Sequence, residues 1–179
     1  MGETIAPPRE PREHMRMARD NRFTVLLEVV EQAFRAPSWH GTPLWGSLRG
    51  VDHRQALWRP GRGRHCIWEL TLHTAYWKCV VRRRLLQDPE IAFPRPGSNW
   101  PGLPQRPTAA AWRRDRTLLA REHALLVRTI RRFDPRLLGR RGWRSKWTNL
   151  AHIYGIASHD LYHAGQIQLL KRLHRDQNR

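Results

Sequence analysis

The chain has 179 residues, a length that predicts one domain, and its 40% hydrophobic and 27% charged residues are an ordinary globular balance. The charge is not ordinary: 33 Lys and Arg against 15 Asp and Glu leave +18, and 30 of those 33 cations are Arg. Two Cys are too few for a disulfide-stapled scaffold or a four-Cys zinc module. No apolar run approaches the ~20 residues of a membrane span. Residues 1–12 are rich in Pro and charge and carry no signal-peptide core, and Ala6 stands where a myristoylation motif has Ser or Thr. These features predict a soluble, cytoplasmic chain with no membrane partner and a disordered tail over 1–12.

A first helix is predicted over 13–34, where Phe23, Leu26, Leu27, Val30, Ala33 and Phe34 form one apolar stripe and Pro37 stops the pattern. In the connection that follows, Thr42-Pro43 reads as N-cap and first helical position before Leu44, and Asp52 as the cap of a turn from His53 to Trp58. A second helix is predicted over 66–87. Leu70, His73, Trp77 and Val80 or Val81 share its face, Glu69 lies in its first turn and Arg82, Arg83 and Arg84 in its last turns. Cys66 and Cys79 then stand ~20 Å apart along one axis. A disulfide needs Cα atoms within roughly 7 Å, so both thiols are expected to be free.

Residues 88–107 hold six Pro and predict a stiff extended strap, tacked down by Phe93 and Trp100. A third helix is predicted over 108–133, capped by Thr108, with Trp112, Leu119, His123, Leu126, Ile130 and Phe133 inward. A fourth is predicted over 146–173, where Asn149, His152, Ile156, His159, His163, Ile167 and Leu170 recur at three- and four-residue steps. No segment alternates like a strand. The fold class expected is all-α: a four-helix bundle with long crossover connections.

The sharpest chemical signal is His159-Asp160-Leu161-Tyr162-His163. Two His at i and i+4 share one helix face, so both imidazoles can reach a single ion at about 2.0–2.1 Å. His73, inward in the second helix, is the expected third ligand. Three His leave positions open for water or substrate, the catalytic pattern rather than the structural one. Zinc, nickel, iron and manganese all accept imidazole, so the metal is left open. His152 lies about 10 Å along the axis from His159 and reads as pocket lining or packing. Asp160 reads either as a partner of a ligand imidazole or as a solvated charge. A zinc-protease reading is disfavoured. The motif carries Asp rather than Glu, only 16 residues follow His163, and no sheet is available to hold a peptide.

The segment Trp68-Glu69-Leu70-Thr71-Leu72-His73-Thr74-Ala75-Tyr76-Trp77-Lys78 resembles the second-helix segment of the DinB-like (DinB/YfiT) superfamily. His159-Asp160-Leu161-Tyr162-His163-Ala164-Gly165-Gln166-Ile167 resembles its last-helix signature, and the Trp39-His40-Gly41 turn and the Pro-rich strap are similar too. The likeness covers about 13–175, taken as the folded domain. It implies a four-helix bundle with a divalent transition metal on one His of the second helix and two of the last, which here are His73, His159 and His163. It also implies a range of chemistries: some relatives transfer low-molecular-weight thiols such as bacillithiol, others isomerise maleylpyruvate with mycothiol, and many have no assigned reaction. The expectation is a metal-dependent enzyme of thiol-dependent, S-transferase-like or isomerase chemistry, acting on a small-molecule substrate. No catalytic residue is assigned. His40, His65, Trp77, His152, Asp160, Tyr162 and Gln166 are the candidates for pocket lining. A homodimer is a further implication of the resemblance.

Two other readings stand beside this one. The first is a basic nucleic-acid-binding protein, because Arg131 to Lys146 holds seven cations against Asp134 alone, flanked by Trp143 and Trp147. It is disfavoured because the cations are spread through every element, no nucleic-acid motif is present, and the Arg excess matches the usage of a high-GC genome. The second is a non-catalytic metal-binding bundle.

Overall fold

The structure is a computed structural model that describes the backbone of residues 11–177 and of Arg179, with side chains from residue 23 onward. The tail expected over 1–12 lies outside the described residues as far as residue 10, and Pro11 already opens the first helix. The described residues are all-α: α1 (Pro11–Phe34), α2 (Leu44–Ser47), α3 (His53–Leu57), α4 (Ile67–Leu86), α5 (Ala109–Arg131) and α6 (Asn149–Gln177), with a 3-10 turn at Pro135–Leu137. No helix among the described residues is long and apolar enough to cross a membrane.

Local chemistry sets the helix ends. Asp52 accepts the Gln55 N–H at 2.8 Å and starts α3, and Thr108 accepts the Ala111 N–H at 3.2 Å and starts α5. Pro43 takes the N-cap of α2 rather than the first helical position expected, with no side-chain cap. At the start of α4, Glu69 reaches back to accept the Cys66 N–H at 3.0 Å. It also takes the Arg59 fork at 2.7 and 2.6 Å. Burial pushes the Glu69 carboxyl up, but the Arg59, Cys66 and His65 hydrogen bonds outweigh it and hold the group down at about 2. Cys66 and Cys79 are both free and buried, as expected.

The fourth long helix starts later than the 146 expected. Residues 141–148 instead form a tight hairpin with an isolated antiparallel bridge between Arg141 and Thr148. The Gly142 N–H donates to the Trp147 carbonyl at 2.9 Å, and Thr148 accepts the Ala151 N–H at 3.1 Å to cap α6. Gly142 makes this turn feasible, since a Cβ there would stand 2.8 Å from Cδ2 of the His152 ring.

The four long helices close a ring: α4 and α1 each pack against both α5 and α6, leaving α1 diagonal to α4. Two apolar clusters fill the ring. One gathers Phe34, Trp68, Leu72, Ala75, Trp112, Leu119 and Ala164; the other gathers Val30, Val81, Leu126, Ile153 and Ala157. In three of the four long helices the change of cluster falls near a buried polar residue, Lys78 in α4, His123 in α5 and Asp160 in α6, while in α1 it falls between Ala33 and Phe34. Lys78 and Asp160 form a buried ion pair, 0% and 1% exposed. The Lys78 ammonium lies 4.9 Å from the centre of the Phe34 ring, and His123 stacks on that ring at 3.7 Å. A buried pair of this kind adds little net stability, and it joins α4 to α6, the two helices that carry the candidate site.

Candidate metal centre

His73 projects from the middle of α4; His159 and His163 project one turn apart from α6. His159 Nε2 lies 3.0 Å from His73 Nε2 and 3.1 Å from His163 Nε2. These atoms form a group that could hold a metal ion. Three nitrogens around a tetrahedral ion at ~2.05 Å stand about 3.3 Å apart, close to these two separations, and the whole group lies within 4.8 Å.

The outward nitrogens say how the rings are protonated. His73 Nδ1 donates to the backbone carbonyl of Asn99 at 2.6 Å. His163 Nδ1 donates to Oε1 of Gln166 at 2.6 Å. Both rings therefore turn an Nε2 lone pair inward. His159 Nε2 faces both lone pairs and can donate to only one of them, while its buried Nδ1 has no partner among the described residues. Burial pushes all three pKa values down. His159 falls to about 3, helped by the neighbouring His163 and His73. His163 falls to about 4 although Gln166 pulls it back up, and His73 is lowered against the pull of Asn99. Three neutral rings with converging Nε2 atoms suit a divalent cation: His73 and His163 already turn lone pairs inward, and His159 does so in the tautomer that carries its proton on Nδ1.

Aromatic rings close one side of the group. Trp100, from the strap, stacks on His73 at 3.9 Å, and His65 stacks on the far face of Trp100 at 3.6 Å. Trp77 sets its edge toward His73 and His159 at 6.2–6.4 Å and donates Nε1–H to Asn99 Oδ1 at 2.8 Å. Asn99 has φ 61, a left-handed conformation that Asn tolerates better than most residues. A cleft of about 560 Å³, lined by His159 but not by His73 or His163, runs past Trp77 and His152 to the 141–148 hairpin.

The pocket candidates read from the sequence divide on this geometry. Trp77 and His152 line the cleft, and His152 also ties down the hairpin through Ser145 Oγ at 2.9 Å. Gln166 orients His163. His65 backs Trp100 and bonds Glu69 at 3.1 Å, outside the cleft. Tyr162 is 64% exposed and touches only the outer edge of His163, at 5.0 Å. His40 is exposed on its turn and does not line the cleft. Asp160 is neither a partner of a triad imidazole nor a solvated charge, because it points the other way, into the ion pair with Lys78.

Asn99 and Trp100 belong to the site, yet the sequence shows them only as part of a strap. The signal available was an Asn-Trp pair set among prolines, where no packing pattern demands either residue. Of the residues that line the outer cleft, Arg84 reads as a last-turn helix cation and Arg144, Lys146 and Trp147 as parts of a basic, aromatic segment, and nothing in the sequence joins them in one cleft.

Comparison with curated proteins and with solved structures returned no significant match. The profile of the DinB superfamily matches residues 39–167, more than half of the chain and a stretch that includes all three histidines. The chain therefore belongs to the DinB superfamily.

Proposed function

We propose that this protein is a metal-dependent enzyme that holds one divalent ion on His73, His159 and His163 and performs transfer chemistry on a small substrate with a low-molecular-weight thiol. The observation that carries the reading is the convergence of three neutral Nε2 atoms, with His159 also lining an open cleft. Two of their rings are oriented by carbonyl acceptors on the opposite nitrogen. Zinc, nickel, iron and manganese all suit this donor set. In the same reading, the ring of four long helices is a four-helix bundle with long crossover connections.

A divalent ion bound there supplies Lewis acidity, which favours the thiolate form of a small thiol at neutral pH. The chain's own residues do the rest. Asn99 and Gln166 hold the rings of His73 and His163 at fixed tautomer and angle. Trp100 and Trp77 keep water from the His73 side. His159 is the ring that faces incoming substrate. Cys66 and Cys79 are 0% and 2% exposed, and burial pushes both thiols up. They stay protonated, so the reacting thiol comes from outside the chain. The thiol itself is drawn from the chemistry that the superfamily resemblance implies.

The test is elemental analysis of untagged protein beside His73→Ala and His159→Ala, followed by a screen of low-molecular-weight thiols with chromogenic electrophiles. The expected result is about one metal per chain in the parent, lost in both variants that remain folded, with thiol transfer following metal content. Parent protein that takes up no metal on reconstitution overturns the reading.

A further inference from the structure

The cleft beside His159 has a chemical character of its own. Its floor is apolar, made by Val81, Ala151, Gly155 and Ile156, and its walls are aromatic, made by Trp77, Trp147 and Tyr154. Trp147 and Tyr154 are 56% and 50% exposed, which leaves flat ring surface open to a ligand. Three cations, Arg84, Arg144 and Lys146, line the same cleft, and no carboxylate does.

Arg144 and Lys146 are exposed and Arg84 is half-buried. Elsewhere several cations stand against carboxylates, Arg59 with Glu69, Arg82 with Glu122, Arg95 with Asp115 and Lys78 with Asp160, whereas Arg116 lies over the Trp45 ring and Lys171 donates to backbone carbonyls. Among the described residues, Arg84, Arg144 and Lys146 are given no carboxylate partner. Their close neighbours are aromatic rings: Arg84 lies 5.8 Å from Trp77, Arg144 4.6 Å from Trp143, and Lys146 5.2 Å from Trp147. Arg144 is held at φ 49, in the left-handed region that non-Gly residues rarely occupy and that marks functional turns more often than chance. A volume of about 560 Å³ lies within the roughly 300–1,000 Å³ of small-molecule sites.

We propose that this cleft is the binding site of a small organic anion with a flat apolar body, its carboxylate or other anionic group held by Arg144 and Lys146 with Arg84 behind them. The body lies between Trp77, Trp147 and Tyr154, and the end remote from the anion points at His159. That orientation rests on the metal reading above; the anion site does not. A guanidinium and an ammonium at an apolar rim favour an anion, because a neutral ligand of the same shape gains the apolar contact without the charge-assisted hydrogen bonds.

The probe is 2-naphthoate, compared with its neutral isostere 2-naphthamide, by quenching of tryptophan fluorescence in the full chain at 0.15 M salt. Metal content is measured on the same samples. Naphthoate is expected to bind at least tenfold more tightly than naphthamide. The double variant R144Q/K146Q is expected to erase that difference without changing metal content or melting temperature. Gly155→Leu, whose new side chain meets open space in the cleft, is expected to abolish binding of both ligands. Equal affinity for the two ligands in the parent overturns the proposal, as does a naphthoate preference that survives R144Q/K146Q or binding of either ligand that survives Gly155→Leu. So does a single-stranded dT10 that displaces naphthoate at equimolar concentration, which would assign the surface to nucleic acid. Naphthoate binding with no metal in the parent upholds the anion site and overturns only the metal reading.

Discussion

The Nδ1–H of His73 and the backbone carbonyl of Asn99 meet at 2.6 Å, so a ring on α4 takes its orientation from the middle of the Pro-rich strap. Gln166 does the same for His163 from within α6. Groups that hold a ligand ring by its outer nitrogen typically change metal affinity by 10–100-fold when removed. Gln166→Leu is therefore expected to weaken metal binding by about that factor while leaving the melting temperature of the metal-free protein within a few degrees. Chelator competition measures the first quantity and circular dichroism the second. At Asn99 the carbonyl survives any substitution, so the backbone conformation decides. Asn99→Gly keeps the left-handed turn and is expected to retain metal; Asn99→Ala strains it by about 1 kcal/mol and is expected to lose both stability and metal affinity.

Lys78 and Asp160 test a different property of the same two helices. Removing one charge leaves the other buried and unpaired, which costs about 3–5 kcal/mol. Lys78→Met is expected to lose that much in urea unfolding. Lys78→Met with Asp160→Leu is expected to recover most of it, because an apolar pair of similar volume suits the surrounding clusters. The double variant is then the one to assay for metal. If metal affinity falls in a protein as stable as the parent, the ion pair sets the register of α4 against α6.

These two pairs also mark how far the sequence could be read. The three- and four-step recurrence from Asn149 to Leu170 and the His at i and i+4 belong to one helix, so geometry within that helix was enough to identify them. His73 could be joined to them because its helix also had an unmistakable inward face. Asn99 could not, and Trp100 reads only as an anchor of the strap beside Phe93, because a strap without periodicity gives no hint of which residues reach the histidines. Asp160 failed for a related reason: its place one step from His159 invited a role at the histidines, and only the packing of α4 shows that Lys78 waits on its other side. The late start of α6 has a local cause. Lys146 and Trp147 fit a helical pattern by type, but Gly142, Ser145 and Thr148 satisfy their backbone groups in a hairpin instead.

That hairpin yields a prediction at Gly142. A methyl group there would approach the His152 ring to 2.8 Å and Asn149 Oδ1 to 3.2 Å, and neither neighbour is the loose end of a flexible chain. Gly142→Ala is expected to destabilise the protein by about 1–3 kcal/mol, the usual cost of overpacking. It is also expected to shift the His152 to Ser145 contact that anchors one wall of the cleft. Thermal unfolding measures the first effect. Trp147 fluorescence, which follows the hairpin, measures the second, while metal content is expected to stay unchanged because the three histidines lie farther along α6.

The acid limb of stability should carry the signature of Glu69. Its carboxyl is held at about 2 in the folded protein, below a free value of 4.5, because Arg59, Cys66 and His65 together outweigh the cost of its burial. A carboxyl whose pKa is lower folded than unfolded stabilises the folded state above the unfolded pKa, and the benefit drains away as pH falls toward the folded pKa. Glu69→Gln removes that contribution. The variant is expected to be less stable than the parent at pH 7, and the gap is expected to close between about pH 4.5 and pH 2, so that the two unfold alike at the acid end. Urea midpoints taken at half-unit steps across this range measure the gap. A constant difference down to pH 2 would mean that Glu69 holds the start of α4 by shape alone, and that the Arg59 fork contributes nothing through charge.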